Sequence, residues 1–421
     1  MDWGSFWGNK RWQNCIVIGW VLIVVVISNW MYGGKKLYRV ADDFDEKAIL
    51  RQFVTQSPSQ IMSYFIKPEK PWVYYRPVGI LSLYFDYLIW KRPQIKYLPN
   101  GEIDWQQFEN ELNKPETVFP YRVMNLILHI IAVFCLALMV GQISKNLWMG
   151  LGCGLLYAMS PFNSPVVAWY PARFDSLCLP FTFLCVYFFF RLMDNSGEGL
   201  LSSKRFLLMM TALFFILALC SKENAIVIPF LLVILVIILL DSRKWQEAAV
   251  PIVLLGMLIG LYLSLRYYSI GCFMTAETAS AASYPRFITL PVRFLFGPAM
   301  QIFEFPRFFE PSIWIIFSSS FWFRLFSIAI FWISCFLVLS RNWKLGLAGF
   351  AWMVVMYIPI AHIYAFNLFR HYLAMPAVGM IIIIASTIEA WHGFLSNKPL
   401  WTKILGLLVG LKYLTEFVNF S

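Results

Sequence analysis

Apolar runs of roughly 20 residues, each the length that crosses the hydrocarbon of a bilayer, recur along the whole of this 421-residue chain. A soluble helix buries one stripe and wets the other, so it does not produce such runs. Composition agrees, with 60% hydrophobic, 18% aromatic and only 14% charged residues, far from soluble averages. The expected fold class is an all-α polytopic membrane protein.

The net charge of +11 fits loop Lys and Arg that set topology and meet anionic headgroups. No Lys/Arg-rich run or RNA-binding signature is present, so membrane lipids, and not nucleic acid, are the expected partners. The cysteines, Cys15, Cys135, Cys153, Cys178, Cys185, Cys220, Cys272 and Cys335, lie mostly within apolar runs and never as CxxC. They read as small buried hydrophobes, not as a disulfide framework or zinc site. The stretch after Lys10 and Arg11 is long and lacks a small-x-small cleavage site, so it reads as an uncleaved first helix.

Run length predicts about eleven spans. They fall near 14–31, 121–143, 147–163, 175–191, 206–221, 224–240, 249–268, 322–340, 345–363, 373–391 and 400–417. Residues 77–90 are apolar but short and contain Asp86, and 287–318 are broken by Pro291, Pro298, Pro306 and Pro311. Both read as interfacial or re-entrant helices. Lys10 and Arg11 set the N-terminus inside, and each even connection then carries inside charge: Lys145; Arg191, Lys204 and Arg205; Arg243 and Lys244; Arg341 and Lys344; Lys398. The outer face receives the long segments 32–120 and 269–321 and short turns at 164–174, 222–223 and 364–372. With no linker or internal repeat, 1–421 reads as a single membrane domain with an outer-face cap.

On this topology the unusual polar residues gather on the outer face: Asp42, Asp43, Asp45, Arg76, His129, Arg173, Asp175, Lys222, Glu223, His362, Arg370 and His371. Ionisable groups near membrane depth are costly and mark function by default. Each also has a plainer reading. Asp42, Asp43 and Asp45 could be a solvated loop start and cap before a helix over 46–53. Arg76 precedes Pro77 at the start of the short apolar segment, where helix-end amides and a guanidinium make a phosphate clamp, or where an arginine snorkels. Tyr121, Asn125 and His129 share one face of the second span, and a hydrogen-bonded interhelical seam accounts for His129. Arg173 and Asp175 could pair locally at a helix start. Lys222 and Glu223 could be a wet turn, and Arg370, beside His371 and Tyr372, a headgroup anchor.

The order of these signals is more specific than any one of them. An acidic pair follows the first span, and a basic residue with Pro opens a short helix. N-x-x-x-H lies in the second span, W-x-x-x-R-x-D follows the third, and S-K-E-x-A with Pro229 follows the fifth. R-x-Y-L-x-x-P comes late. From Asp42 to Pro376 this resembles the GT-C superfamily of membrane glycosyltransferases, among them protein O-mannosyltransferases and the lipid A aminoarabinose transferase. It is most similar to the membrane part of TPR-bearing O-mannosyltransferases and their bacterial relatives.

The resemblance implies an inverting glycosyltransferase that moves a sugar from a polyprenyl-phosphate donor to an acceptor hydroxyl on the outer face of a bacterial plasma membrane. It implies Asp42 as base with Asp43 as its neighbour, Arg76 and Arg370 on the donor phosphate, and Arg173 and Asp175 lining the site with His129, Lys222, Glu223 and Tyr372. No cofactor is required by this chemistry. Some relatives need a divalent cation, for which Asp42, Asp43 and Asp45 are the candidate ligands. The acceptor is left open among lipid, glycan and protein. The sequence departs from these relatives in lacking a TPR array, in carrying R-H-Y-L for R-Y-L-Y, and in a stretch at 101–120 that reads as an extra polar loop.

The chemistry suits the residues. A carboxylate removes the acceptor proton, and partial burial raises its affinity for that proton. Arginines stabilise a phosphate leaving group without a metal. Single displacement needs one base, unlike retaining hydrolysis. The other classes considered are a lipid-linked glycan transporter or flippase, which calls for mid-membrane broken helices or inverted repeats, an O-antigen ligase or polymerase, and a non-catalytic scaffold.

Overall fold

The computed structural model describes residues 10–33, 44–63, 74–90, 95–112, 114–194, 203–271, 273, 343–360 and 370–395. Among these residues the chain is all-α. The sole extended pairing there is an isolated bridge between Tyr97 and Ile103. The helices are α1 Lys10–Tyr32, α2 Phe44–Thr55, α3 Pro58–Ser63, α4 Pro77–Ile89, α5 Trp105–Leu112, α6 Pro115–Ser144, α7 Leu147–Ala158 and α8 Ser164–Ala168. They continue with α9 Arg173–Met193, α10 Lys204–Ser221, α11 Ile228–Leu239, α12 Arg243–Ile270, α13 Trp343–Ile360 and α14 Ala377–Leu395.

Five stretches are long and apolar enough to cross a membrane: Glu116–Ser144, Tyr170–Met193, Lys204–Ser221, Arg243–Ile270 and Trp343–Ile360. The chain is thus a membrane protein by helix length and composition. The spans expected at 322–340 and 400–417, and nearly all of 269–321, lie outside the described residues. Each other expected span falls on a helix, with boundaries moved by prolines. The helix over 121–143 instead begins at Pro115, where a missing N–H costs least, has Glu116 in its first turn and runs on through Pro120 in its second. The stretch 101–120 is therefore not a polar loop: it comprises the end of the bridged turn, α5 and the opening turns of α6. The span expected over 147–163 stops as an α-helix at Ala158 and gives way to a 3-10 turn, Pro161–Asn163, because the residue before a proline is pushed out of helical geometry. Similarly, Glu223–Val227 is 3-10, and α11 opens with Pro229 in its first turn.

One large core joins α6, α7 and α9 to α14 through Leu136, Cys153, Phe183, Val186, Phe215, Leu232, Trp352 and Ile382. Cys135, Cys153, Cys178 and Cys185 are buried there as free thiols. Where α13 crosses α14, Gly349 and Gly379 meet backbone to backbone: a Cβ on Gly379 would come 2.2 Å from the Gly349 carbonyl oxygen. Small residues allow this approach, which is how helices associate without a hydrophobic drive.

A second core belongs to the cap. Ile49, Leu50 and Phe53 of α2, Ile61 of α3, Leu83, Tyr84 and Tyr87 of α4, and Phe108 and Leu112 of α5 pack together. Tyr121, Tyr170 and Phe174 from the bundle complete it, so cap and bundle share a seam. Helix α4 lies across the end of the bundle. Its first residues touch Glu223 beyond α10, Gly79 abuts Phe174, and Asp86 reaches Arg173 at the start of α9. These contacts set the short helix against the end of the bundle.

The opposite end collects Lys145 on Asp194, Lys244 near the Met193 carbonyl at 2.8 Å, Lys204 on Glu247 at 3.6 Å, and Asn146 on Glu389 at 2.9 Å. The connections carrying Lys145, Arg191 to Arg205, and Arg243 with Lys244 therefore meet at one end of the bundle, beside Glu389 of α14.

Candidate functional site

Under α4, at the capped end, two ion pairs sit side by side. Arg76 is the N-cap of α4, ahead of Pro77. The guanidinium donates from Nε to Glu223 Oε2 at 2.7 Å and from Nη2 to Oε1 at 2.5 Å. This is the two-pronged geometry that makes arginine–carboxylate pairs strong. The Tyr74 ring lies 4.2 Å and the Phe174 ring 5.0 Å from the guanidinium carbon, close enough for cation–π attraction. Burial works against the Arg76 charge, but Glu223, with Asp175 and Tyr74, more than offsets it and raises the pKa above the ordinary arginine range.

Lys222 is 4% exposed and donates to both oxygens of Asp175, at 2.6 and 2.7 Å. Its ammonium also stands 4.7 Å from the Tyr372 ring. Lys222 can reach inward because it caps α10 in an extended conformation, just before the 3-10 turn that carries Glu223. Asp175 lies in the first turn of α9, where the helix dipole favours a carboxylate. His371 packs on Tyr372 at 4.2 Å and on Trp169 at 5.1 Å. Burial lowers its pKa to about 4, and Lys222 and Arg76 reinforce this against the pull of Asp175. It is therefore neutral near pH 7.

The structure thus gathers Arg76, Asp175, Lys222, Glu223 and Tyr372. Arg173 is placed differently. It is wholly buried, and it pairs with Asp86 at 2.6 Å rather than with Asp175. Its other donors reach Asn125 Oδ1 at 2.5 Å, Ser82 Oγ at 2.9 Å and the Tyr121 carbonyl at 2.9 Å. Asn125 in turn donates to the Val166 and Trp169 carbonyls. Arg173 and Asn125 therefore bolt α4, α6, α8 and α9 into one seam. His129 lies deeper on α6, between the Tyr32 ring at 5.0 Å and the Tyr157 ring at 5.7 Å. Tyr121, Asn125 and His129 are all buried on one face of α6, as their spacing predicts.

Asp42 and Asp43 lie outside the described residues. Helix α2 starts at Phe44, which puts Asp45 inside the first turn and not ahead of it. Arg370 opens the short 3-10 turn Arg370–Leu373. Among the described residues no three His, Cys, Asp or Glu side chains are grouped to hold a metal. Sequence reasoning missed Tyr262 and Arg266 of α12. The Tyr262 hydroxyl donates to the Tyr75 carbonyl at 3.1 Å, and the buried Arg266 acts electrostatically on Glu223. A charge inside a long apolar helix was the available signal.

Chemically, this is a semi-buried site with both charge signs and aromatic walls. Three cations, Arg76, Lys222 and Arg266, face two carboxylates, Asp175 and Glu223. Such a balance favours an added anionic group. No family model matches the chain, and neither does any curated protein sequence.

Proposed function

We propose that this protein is an inverting glycosyltransferase of the GT-C type, with about eleven spans, working on the outer face of a bacterial plasma membrane. The donor is a polyprenyl-phosphate sugar and the acceptor is a hydroxyl on a lipid, glycan or protein. One observation carries this reading. Arg76, Asp175, Lys222 and Glu223, drawn from distant parts of the chain, form adjoining pairs beneath a cap, in the order along the sequence that the resemblance implies. The cation excess suits a lipid phosphate, and the apolar bundle beside it suits an isoprenoid tail.

In the proposed reaction the acceptor oxygen attacks the anomeric carbon as Asp42 takes its proton. The bond from that carbon to the phosphate oxygen breaks, and polyprenyl phosphate leaves with the electron pair. Arg76 and Arg370 hold the phosphate as charge builds on it. Glu223 keeps Arg76 oriented and charged until the phosphate competes for the same donors. Asp43 supports the base or helps to hold a divalent cation.

The test is transfer from a radiolabelled polyprenyl-phosphate sugar by the full chain in nanodiscs. Asp42→Asn is expected to slow transfer by about 10²–10⁴-fold, the contribution of a general base, without altering thermal unfolding. An unchanged rate would sink the base assignment. Labelled lipid crossing the bilayer with no donor consumed would favour a flippase instead.

A further inference from the structure

The cap carries a pocket of about 450 Å³ lined by Arg51, Gln52 and Thr55 of α2 and Trp105 of α5. It is a shallow, open hollow rather than an enclosed cavity, the form that suits a ligand lying along a surface and not one swallowed whole. It arises from the amphipathicity of two short helices. Ile49, Leu50 and Phe53 turn one face of α2 into the cap core, as Phe108 and Leu112 do for α5. The polar faces are left to meet each other outside that core. Trp105 stays 39% exposed, propped edge-on against Phe108 at 5.7 Å.

The lining is unusual in what it leaves unpaired. Of the lining atoms, Arg51 Nε and Gln52 Oε1 are buried and have no hydrogen-bond partner among the described residues. Buried polar atoms are nearly always paired, and each exception asks for a partner. The lining therefore carries one unpaired donor, Arg51 Nε, and one unpaired acceptor, Gln52 Oε1, each on a planar group that a change of rotamer turns towards the pocket. It presents no net charge, because Arg51 is already paired with Glu109, and its guanidinium lies 5.6 Å from the Trp105 ring.

An anion would meet Glu109 at close range. An acyl chain would leave these polar atoms unpaired, at a cost of about 1–3 kcal/mol for each. A pyranose fits both halves of the lining. Its C–H face carries slight positive charge and suits an aromatic ring, while its vicinal hydroxyls both donate and accept, as the Arg and Gln groups require.

We infer that this pocket docks a neutral oligosaccharide, the acceptor glycan of the transfer reaction. The inference rests on the transferase reading above and narrows its acceptor to a glycan. Position supports it. Asp42 and Asp43 directly precede α2 in the chain, and Arg51 lies about 10 Å along that helix from Phe44 at the standard rise. Helix α2 also packs on the Tyr170–Ala172 turn that leads into Asp175.

The test measures binding of mannotetraose, cellotetraose, chitotetraose and acidic tri-galacturonate to the full chain in nanodiscs by calorimetry. At least one neutral tetrasaccharide is expected to bind. Trp105→Ala and Gln52→Ala should each weaken it by roughly tenfold, the scale of a lost stacking or hydrogen-bonding partner. Asp42→Asn should bind it undiminished while losing transfer. Two surface variants guard against misfolding of either one. The proposal is overturned if no neutral glycan binds, if only the acid binds, or if both pocket variants bind as well as the parent. Transfer surviving in Asp42→Asn would count against the base assignment alone, and absence of transfer by the parent would count against the transferase reading, since glycan binding is read separately.

Discussion

At the scale of residues, Arg173 and His371 show how the capped end is held together. Arg173 spends its donors on Asp86, Asn125, Ser82 and the Tyr121 carbonyl, so removing either charge strands the other in an apolar seam. Asp86→Leu alone is expected to cost about 3–5 kcal/mol, and Arg173→Met at least as much because Asn125, Ser82 and the Tyr121 carbonyl also lose their donor. The double variant recovers from Arg173→Met the part due to an unpaired buried carboxylate. Thermal unfolding in detergent checks this, and a double variant as unstable as Arg173→Met would refute it. The pH response of His371 has a definite sign. Its pKa falls from the usual 6.5 to about 4 through burial, so across that interval the unfolded chain binds a proton that the folded chain does not. Stability is full above 6.5 and is lost as pH falls towards 4. Relative to the parent, His371→Gln should flatten the drop in unfolding temperature over that interval, and an equal drop in both would exclude this role.

At the scale of elements, α4 is fixed to the bundle by close approach at Gly79. A Cβ there would fall 2.2 Å from Cδ1 of Phe174, a ring that also walls Arg76. Gly79→Ala must push α4 or Phe174 aside, at about 1–3 kcal/mol for such overpacking. It should also raise the KM for the donor through displacement of Arg76. Gly379→Ala, at the α13–α14 crossing, should match the stability loss while leaving KM alone, and a shift in KM for both would show that Gly79 has no special tie to Arg76.

The long helices were legible because run length alone reports them, and prolines explain where their ends moved. Helix α5 was not, because Phe108 and Leu112 are its only fully buried positions, too few for a periodic signal. The cross-chain pairs Arg173–Asp86, Arg76–Glu223 and Lys222–Asp175 were also beyond reach, since spacing can suggest only a local partner such as Asp175 for Arg173. Motif order did bring Arg76, Asp175, Lys222 and Glu223 onto one shortlist, yet it gave no hint that each cation already holds a carboxylate.

For the whole molecule, the two ends of the bundle differ in kind. One carries exposed basic connections, with Lys145 on Asp194, Lys244 beside Met193 and Lys204 on Glu247. The other carries the cap, the aromatic-walled ion pairs and the Trp105 pocket. Short loops rich in Lys and Arg stay on the side from which a chain inserts, and on that rule we propose that the cap lies outside. Asn100→Cys, in the exposed turn of the cap, and Lys204→Cys, at the basic end, read this directly. Buried Cys135, Cys153, Cys178 and Cys185 contribute little background to a membrane-impermeant maleimide, and the parent chain supplies the remainder. In intact spheroplasts Asn100→Cys should label and Lys204→Cys should not, until the membrane is opened. The reverse pattern would turn the molecule over and put the proposed site on the cytoplasmic face, where a donor flipped outward could not reach it. Labelling of both would mean that the basic connections do not set orientation, even though the contacts that gather them at one end would stand.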